Sequence, residues 1–226
     1  MRLTADVSPR EISTVQRSPY LPPLPPTRWG GERRGAGRKP GPNPKDWHVA
    51  RPPIDPRQPA YLILRMATQG ITLRTEAVRD AVVRVLRELH SSRQGFRVIA
   101  FGIRADGLHL IVEADTAAKF SSGVRALCIR FGRRLNQVLG RKGRLFYDRY
   151  HRQMLATPTE VRQAFTEVLL GGRTSPGLDP YSSAAYFDGW DGPLDGDSPS
   201  DPAPVRPPRT WLARTGWRQE GLLTLG

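Results

Sequence analysis

Residues 96–114 read FRVIAFGIRADGLHLIVEA, and the fold turns on this stretch. Phe96–Ile103 and Leu108–Glu113 are apolar runs of strand length, and Arg104-Ala-Asp-Gly107 between them supplies hairpin-turn chemistry. Working outward, Ala60–Met66 (AYLILRM) is a short apolar strand. Thr75–His90 carries Val78, Val82, Val85, Leu86 and Leu89 at helical spacing. Downstream, Lys119–Leu139 places Phe120, Val124, Leu127, Phe131, Leu135 and Val138 on one stripe, which marks a second helix. Tyr150–Leu155 reads as a fourth strand. Pro158 suits the first turn of a third helix that runs to Leu170, because proline lacks only a donor that is unpaired there anyway. The order β-α-β-β-α-β-α predicts an α+β, ferredoxin-like antiparallel sheet with its helices on one face.

Proline marks the limits of this unit. Of 22 prolines, 13 fall in residues 1–59, one (Pro158) in 60–173 and eight in 174–226. Helices and central strands exclude proline, whereas extended segments tolerate it. The reading is a Pro-rich arm over 1–59, a folded domain over 60–173, and a linker with a C-terminal docking segment over 174–226. Charge divides the same way. Lys+Arg against Asp+Glu stand at 11 to 5, 20 to 9 and 4 to 7 in the three segments, within a total of +14. That excess favours a polyanionic partner, nucleic acid above all, carried by the first two segments. Asp188–Asp201 is acidic and rich in Gly, Pro and Ser, so a flexible tail is expected there. The single cysteine, Cys128, excludes an internal disulfide framework and a cysteine-based metal cluster. No run approaches the roughly 18 apolar residues of a membrane span, and Met1–Asp6 lacks an apolar signal core; the default expectation is a cytoplasmic protein without membrane contact.

Three segments carry a family resemblance: Asp106-Gly-Leu-His-Leu-Ile-Val-Glu-Ala114, Arg144-Leu-Phe-Tyr-Asp-Arg-Tyr-His151, and TPTEVRQAFTEVLL over residues 157–170. Together with Gly35-Ala-Gly-Arg-Lys-Pro40 and PRTWLARTGW over 208–217, they resemble the IS200/IS605-like single-strand DNA transposases, especially the branch associated with repetitive extragenic palindromes. The resemblance implies a tyrosine hydroxyl that cuts one strand and a Mg2+ or Mn2+ ion held by a His-x-His pair, whose members share a strand face. It implies an amide ligand one helical turn after the tyrosine, and a homodimer. The sequence departs from that pattern at three of its four chemical positions. Gly107 stands where the first histidine is implied, Glu167 where the tyrosine is implied and Gly171 where the amide is implied; only His109 remains. A carboxylate does not replace a tyrosine easily, because an acyl-phosphate is water-labile. One imidazole without its partner is a poor divalent-cation site. No bound cofactor is therefore expected, and His109 also reads as an ordinary strand histidine. Tyr147 is the one nearby substitute nucleophile, Tyr150 and His151 read as scaffold, and Glu113 reads as a solvated strand-end charge.

Basic residues supply the remaining signal. At 100° per residue Arg130, Arg134 and Arg141 fall within about 40° of one another, with Arg133 beside them; Lys142 and Arg144 extend the set into the next loop. Arginine forks suit phosphate oxygens, although a solvated helix face reads the same way. In the arm, Gly37-Arg38-Lys39-Pro40 resembles an AT-hook-like minor-groove segment, or else a plain flexible arm. Trp211, Leu212 and Trp217 are expected to dock on the domain rather than to stack on bases. Three functions stay open: a DNA-binding transposase relative that binds hairpin or single-stranded DNA without cutting it, an active transposase using Tyr147, and an RNA-binding ferredoxin-like domain. The last expects stacking aromatics on central strands, where Phe96 and Phe101 are the only phenylalanines.

Overall fold

The computed structural model describes residues 53–67, 70–147, 150–193 and 201–225. Arg38 and Lys39, with most of the Pro-rich arm, lie outside the described residues. The elements follow the expected order: β1 Ala60–Arg65, α1 Glu76–Ser92, β2 Phe96–Ile103, β3 Gly107–Ala114, α2 Ala117–Val138, β4 His151–Met154 and α3 Pro158–Leu170. Short polar side chains set the helix starts. Thr75 accepts from the Val78 N–H and Thr116 from the Lys119 N–H, while Thr157 and Glu160 close a reciprocal capping box around Pro158. The four strands form one antiparallel sheet in the order β2-β3-β1-β4, which is the ferredoxin-like α+β topology.

Strand alternation sorts the side chains into two cores rather than one. Leu62 and Leu64 of β1, Val98, Phe101 and Ile103 of β2, and Leu108, Leu110 and Val112 of β3 pack against the apolar stripes of α1 and α2. The opposite face presents Ala100 and Ile111 to α3, which brings Val161, Phe165, Val168 and Leu169. The expectation of all helices on one face is thus corrected: α1 and α2 cover one side and α3 the other. The physical reason lies in β2 and β3, which are buried along their whole length and leave no face for water. Gly102 makes the α3 contact possible, since a Cβ there would collide with the Val168 carbonyl.

The C-terminal segment packs on the domain where it is described. Tyr181 and Ser183 hydrogen-bond to the outer edge of β2 at Ile103 and Phe101, and the Arg206 N–H donates to the Val98 carbonyl at 2.9 Å. A free sheet edge is thereby covered. A last short helix, α4 (Trp211–Arg214), leads into a 3-10 turn at Gly216–Glu220. Trp217 is fully buried there, stacked on Phe187 with ring centres 5.4 Å apart, and its indole N–H donates to Ala213 O. Trp211 by contrast stays exposed. Glu113 is not a solvated charge: its buried carboxylate accepts from Arg97, from the Arg209 and Thr210 N–H groups, and from the Thr210 hydroxyl. A buried carboxylate needs that many donors to offset its lost hydration. No helix among the described residues is long and apolar enough to cross a membrane.

Candidate functional site

The resemblance-derived positions meet on the α3 face of the sheet. Gly107 and His109 both lie on that face of β3, opposite Arg65 and Ile63 of β1. His109 is buried, and its Nδ1 lies 2.5 Å from the hydroxyl of Tyr61, a residue of the neighbouring strand β1. Burial, followed by the charge of Glu167, pushes the Tyr61 phenol up to about 12, so it stays protonated. Burial first, and then the Arg104 guanidinium, hold the His109 imidazole below its ordinary value. Two neutral groups therefore share this bond, and which of them donates depends on whether the imidazole proton sits on Nδ1 or Nε2. The Nε2 atom is buried without a hydrogen-bond partner among the described residues, and the Asp106 carboxylate stands off at 3.6 Å.

Above His109, the C-terminal turn of α3 carries Glu167 and Gly171. Arg104, from the β2–β3 turn, reaches across to both. Its guanidinium donates to the Glu167 carboxylate at 2.7 Å and to the backbone carbonyls of Glu167 and Gly171. The Glu167 carbonyl also accepts the Gly171 N–H, the Gly171 carbonyl lies at the very end of the helix, and the negative end of the helix dipole favours a cation there. Arg104 thus caps the end of α3 and is at the same time the counter-ion of Glu167. From the sequence, Arg104 reads only as part of a turn. Its partners lie 63 and 67 residues away, beyond any local pattern.

The implied metal set does not fit these residues. A Cβ at position 107 would strike the Leu64 carbonyl, so any larger residue there requires the β1 backbone to move. A Cβ at 171 would enter the space held by the Arg104 guanidinium. His151 pairs with Ile63, which pairs with His109, so both histidines share a face with a strand between them. Two strand spacings amount to roughly 9–10 Å, more than one ion can bridge. Among the described residues no group of three or more His, Cys, Asp or Glu residues is placed to hold a metal.

Tyr147 and the basic residues lie elsewhere. Tyr147, exposed, and Tyr150 line a groove of about 430 Å³ with Leu64, Cys128, Ile129 and Arg133, on the α2 side of the sheet. The structure does not bring Tyr147 to His109. Arg130 donates to the Ser92 hydroxyl at 2.9 Å and Arg134 stands 3.7 Å from Glu88, so both lean on α1. Arg141 and Arg144 bind backbone carbonyls of their own loop, those of Arg144 and Phe146. Arg133 and Lys142 are exposed. The basic set and the His109 site therefore occupy opposite sides of the sheet.

No family model matches the sequence, and no curated protein matches it either. Among solved structures, it is similar to a REP-associated tyrosine transposase bound to a REP hairpin, at 16% identity and a TM-score of 0.41, over 54% of this protein and 70% of that one. A protein assigned as a transposase from Deinococcus radiodurans R1 matches at 20% identity and a TM-score of 0.38, over 54% and 96%. A bacterial tRNA(His) guanylyltransferase (Thg1)-like protein in complex with GTP matches at 15% and 0.36, over 51% and 62%.

Proposed function

We propose that this protein is a relative of the IS200/IS605-like transposases that binds hairpin or single-stranded DNA and does not cut it. The observation that carries the reading is the Arg104 clamp. At the place where the resemblance implies a nucleophile and a metal, Glu167 is neutralised by Arg104, and the space at Gly171 is held by the same guanidinium. His109 spends its Nδ1 on Tyr61 rather than on a ligand. What the site does chemically is to tie the end of α3 to the β2–β3 hairpin. A carboxylate paired with arginine neither attacks a phosphodiester readily nor preserves its bond for rejoining. The net charge of +14 supports a polyanionic partner, and exposed Arg133 and Lys142 give it contacts outside the clamp. DNA is then a partner held through its phosphates.

Filter binding and denaturing gels with hairpin DNA in Mn2+ or Mg2+ test both halves of this reading. Binding is expected to weaken steeply with salt, and changing Arg133 and Lys142 to Ala is expected to lower the slope by about 0.7–0.9 for each phosphate contact removed. No SDS-resistant protein–DNA adduct is expected. An adduct that disappears in Tyr147→Phe would overturn the non-cutting half and identify Tyr147 as the nucleophile. Salt-independent or absent binding would remove DNA as the partner.

A further inference from the structure

A second basic cluster lies away from both the His109 site and the exposed face of α2. Where the C-terminal segment crosses the ends of α1, β2 and β3, it encloses a cavity of about 370 Å³ whose lining includes Arg93, Arg97, Arg206, Arg209, His90 and Asp115. Arg97 forms its floor: its side chain is 91% buried and is held by Glu113 at 3.2 Å and Asp115 at 3.0 Å. Arg209 stands 3.8 Å from the same Asp115. Among the described residues, Arg93 donates only to the Ser122 hydroxyl, at 3.3 Å, and the Arg206 guanidinium has no hydrogen bond or ion pair. Four guanidinium groups thus meet two carboxylates, and one of those, Glu113, is buried beneath. His90 adds no charge, because its Nε2 accepts the Val98 N–H at 3.0 Å. The C-terminal dipole of α1 opposes an anion, but it amounts to roughly half a charge against an excess of two.

We propose that this cavity is a phosphate-binding site, and that the phosphate it takes is that of a DNA backbone. The inference rests on the DNA-binding reading above and adds to it that the C-terminal segment belongs to the interface. That segment is acidic overall, yet two of its four basic residues, Arg206 and Arg209, lie on this cavity. Planar, fork-shaped donors around a concave opening are what a tetrahedral phosphate oxygen set requires. The backbone of this C-terminal strap, residues 201–210, is independent of those guanidinium groups, since its anchoring bonds run from the Arg206 and Arg209 N–H groups.

The test uses the full-length protein and the double variant Arg206→Gln/Arg209→Gln, which keeps those backbone bonds. Arg93→Gln serves as a second variant on the other wall, and a thermal melt checks folding of each. Hairpin DNA is titrated across a salt series, and inorganic pyrophosphate is titrated by calorimetry. The expected result is hairpin binding that weakens about tenfold in either variant at low salt, with a shallower salt slope, and pyrophosphate binding to the parent protein that both variants lose. Hairpin binding that is unchanged in both folded variants overturns the site while leaving the DNA reading intact. Arginine-dependent pyrophosphate binding without any hairpin binding keeps the phosphate site and overturns its DNA source. Absence of both overturns the proposal outright.

Discussion

His109 and Gly107 sit two residues apart on one strand face, yet their surroundings treat them oppositely. The imidazole is locked by Tyr61, while position 107 has no room for a Cβ because the Leu64 carbonyl occupies that direction. Here glycine is a packing requirement of the β1–β3 pair, whatever histidine the resemblance implies. Gly107→Ala is therefore expected to destabilise the fold by about 1–3 kcal/mol, the usual cost of overpacking, and Gly107→His by more. Chemical denaturation checks this. A Gly107→Ala variant with an unchanged urea midpoint would show that β1 yields freely at Leu64. Such a result would also reopen position 107 to a metal ligand. The identity of the residue was readable in the sequence, but the reason for it was not, because the atom that excludes a larger residue belongs to another strand.

At the scale of elements, local signals were legible and distant ones were not. Phe96–Ile103 and Pro158–Leu170 emerge with the bounds read from the sequence, because period, proline and capping residues all act within a few positions. The second core and the grip of Glu113 on the strap leave no local trace, since they depend on contacts such as Thr210 to Glu113, 97 residues apart. An acidic residue at a strand end looks solvated until its donors arrive from a distant segment. Removing that carboxylate should therefore release the strap selectively. Glu113→Ala leaves Arg97 buried beside only Asp115 and strips two strap N–H groups of their acceptor. Breaking a buried, hydrogen-bonded charge of this kind costs about 3–5 kcal/mol. Hydrogen exchange is expected to accelerate at Arg209 and Thr210 while the amides of α1 and α2 keep their order of protection. Unchanged exchange at those two positions would mean that apolar docking of Trp217, not Glu113, holds the strap.

At the scale of the whole molecule, two buried neutral imidazoles together set a defined acid limit. His90 ties α1 to β2 by accepting the Val98 N–H, and a hydrogen bond to the Pro204 carbonyl ties it to the strap. Burial, with the nearby Arg206 and Arg97 charges opposing a proton, lowers it from the ordinary 6.5 to about 4. His109 is lowered in the same direction by burial and Arg104, against the opposing pull of Asp106 and Glu167. The sign follows from proton binding. Below pH 6.5 the unfolded state takes up protons that the folded imidazoles refuse, so the equilibrium shifts toward unfolding. The stabilisation is complete above pH 6.5 and is lost as pH falls toward about 4, where folded His90 itself protonates. Urea unfolding measured from pH 8 to pH 4 is expected to give a plateau and then a decline that begins near 6.5. His90→Gln, which keeps a donor and an acceptor but does not titrate, is expected to start lower and decline less across that interval. The remaining slope belongs to His109 and should flatten further in His109→Gln. A stability flat between pH 6.5 and about 4 in the parent protein would mean that water or the arginines nearby accommodate charged imidazoles. The link between α1, β2 and the strap would then rest on backbone hydrogen bonds and apolar contacts alone.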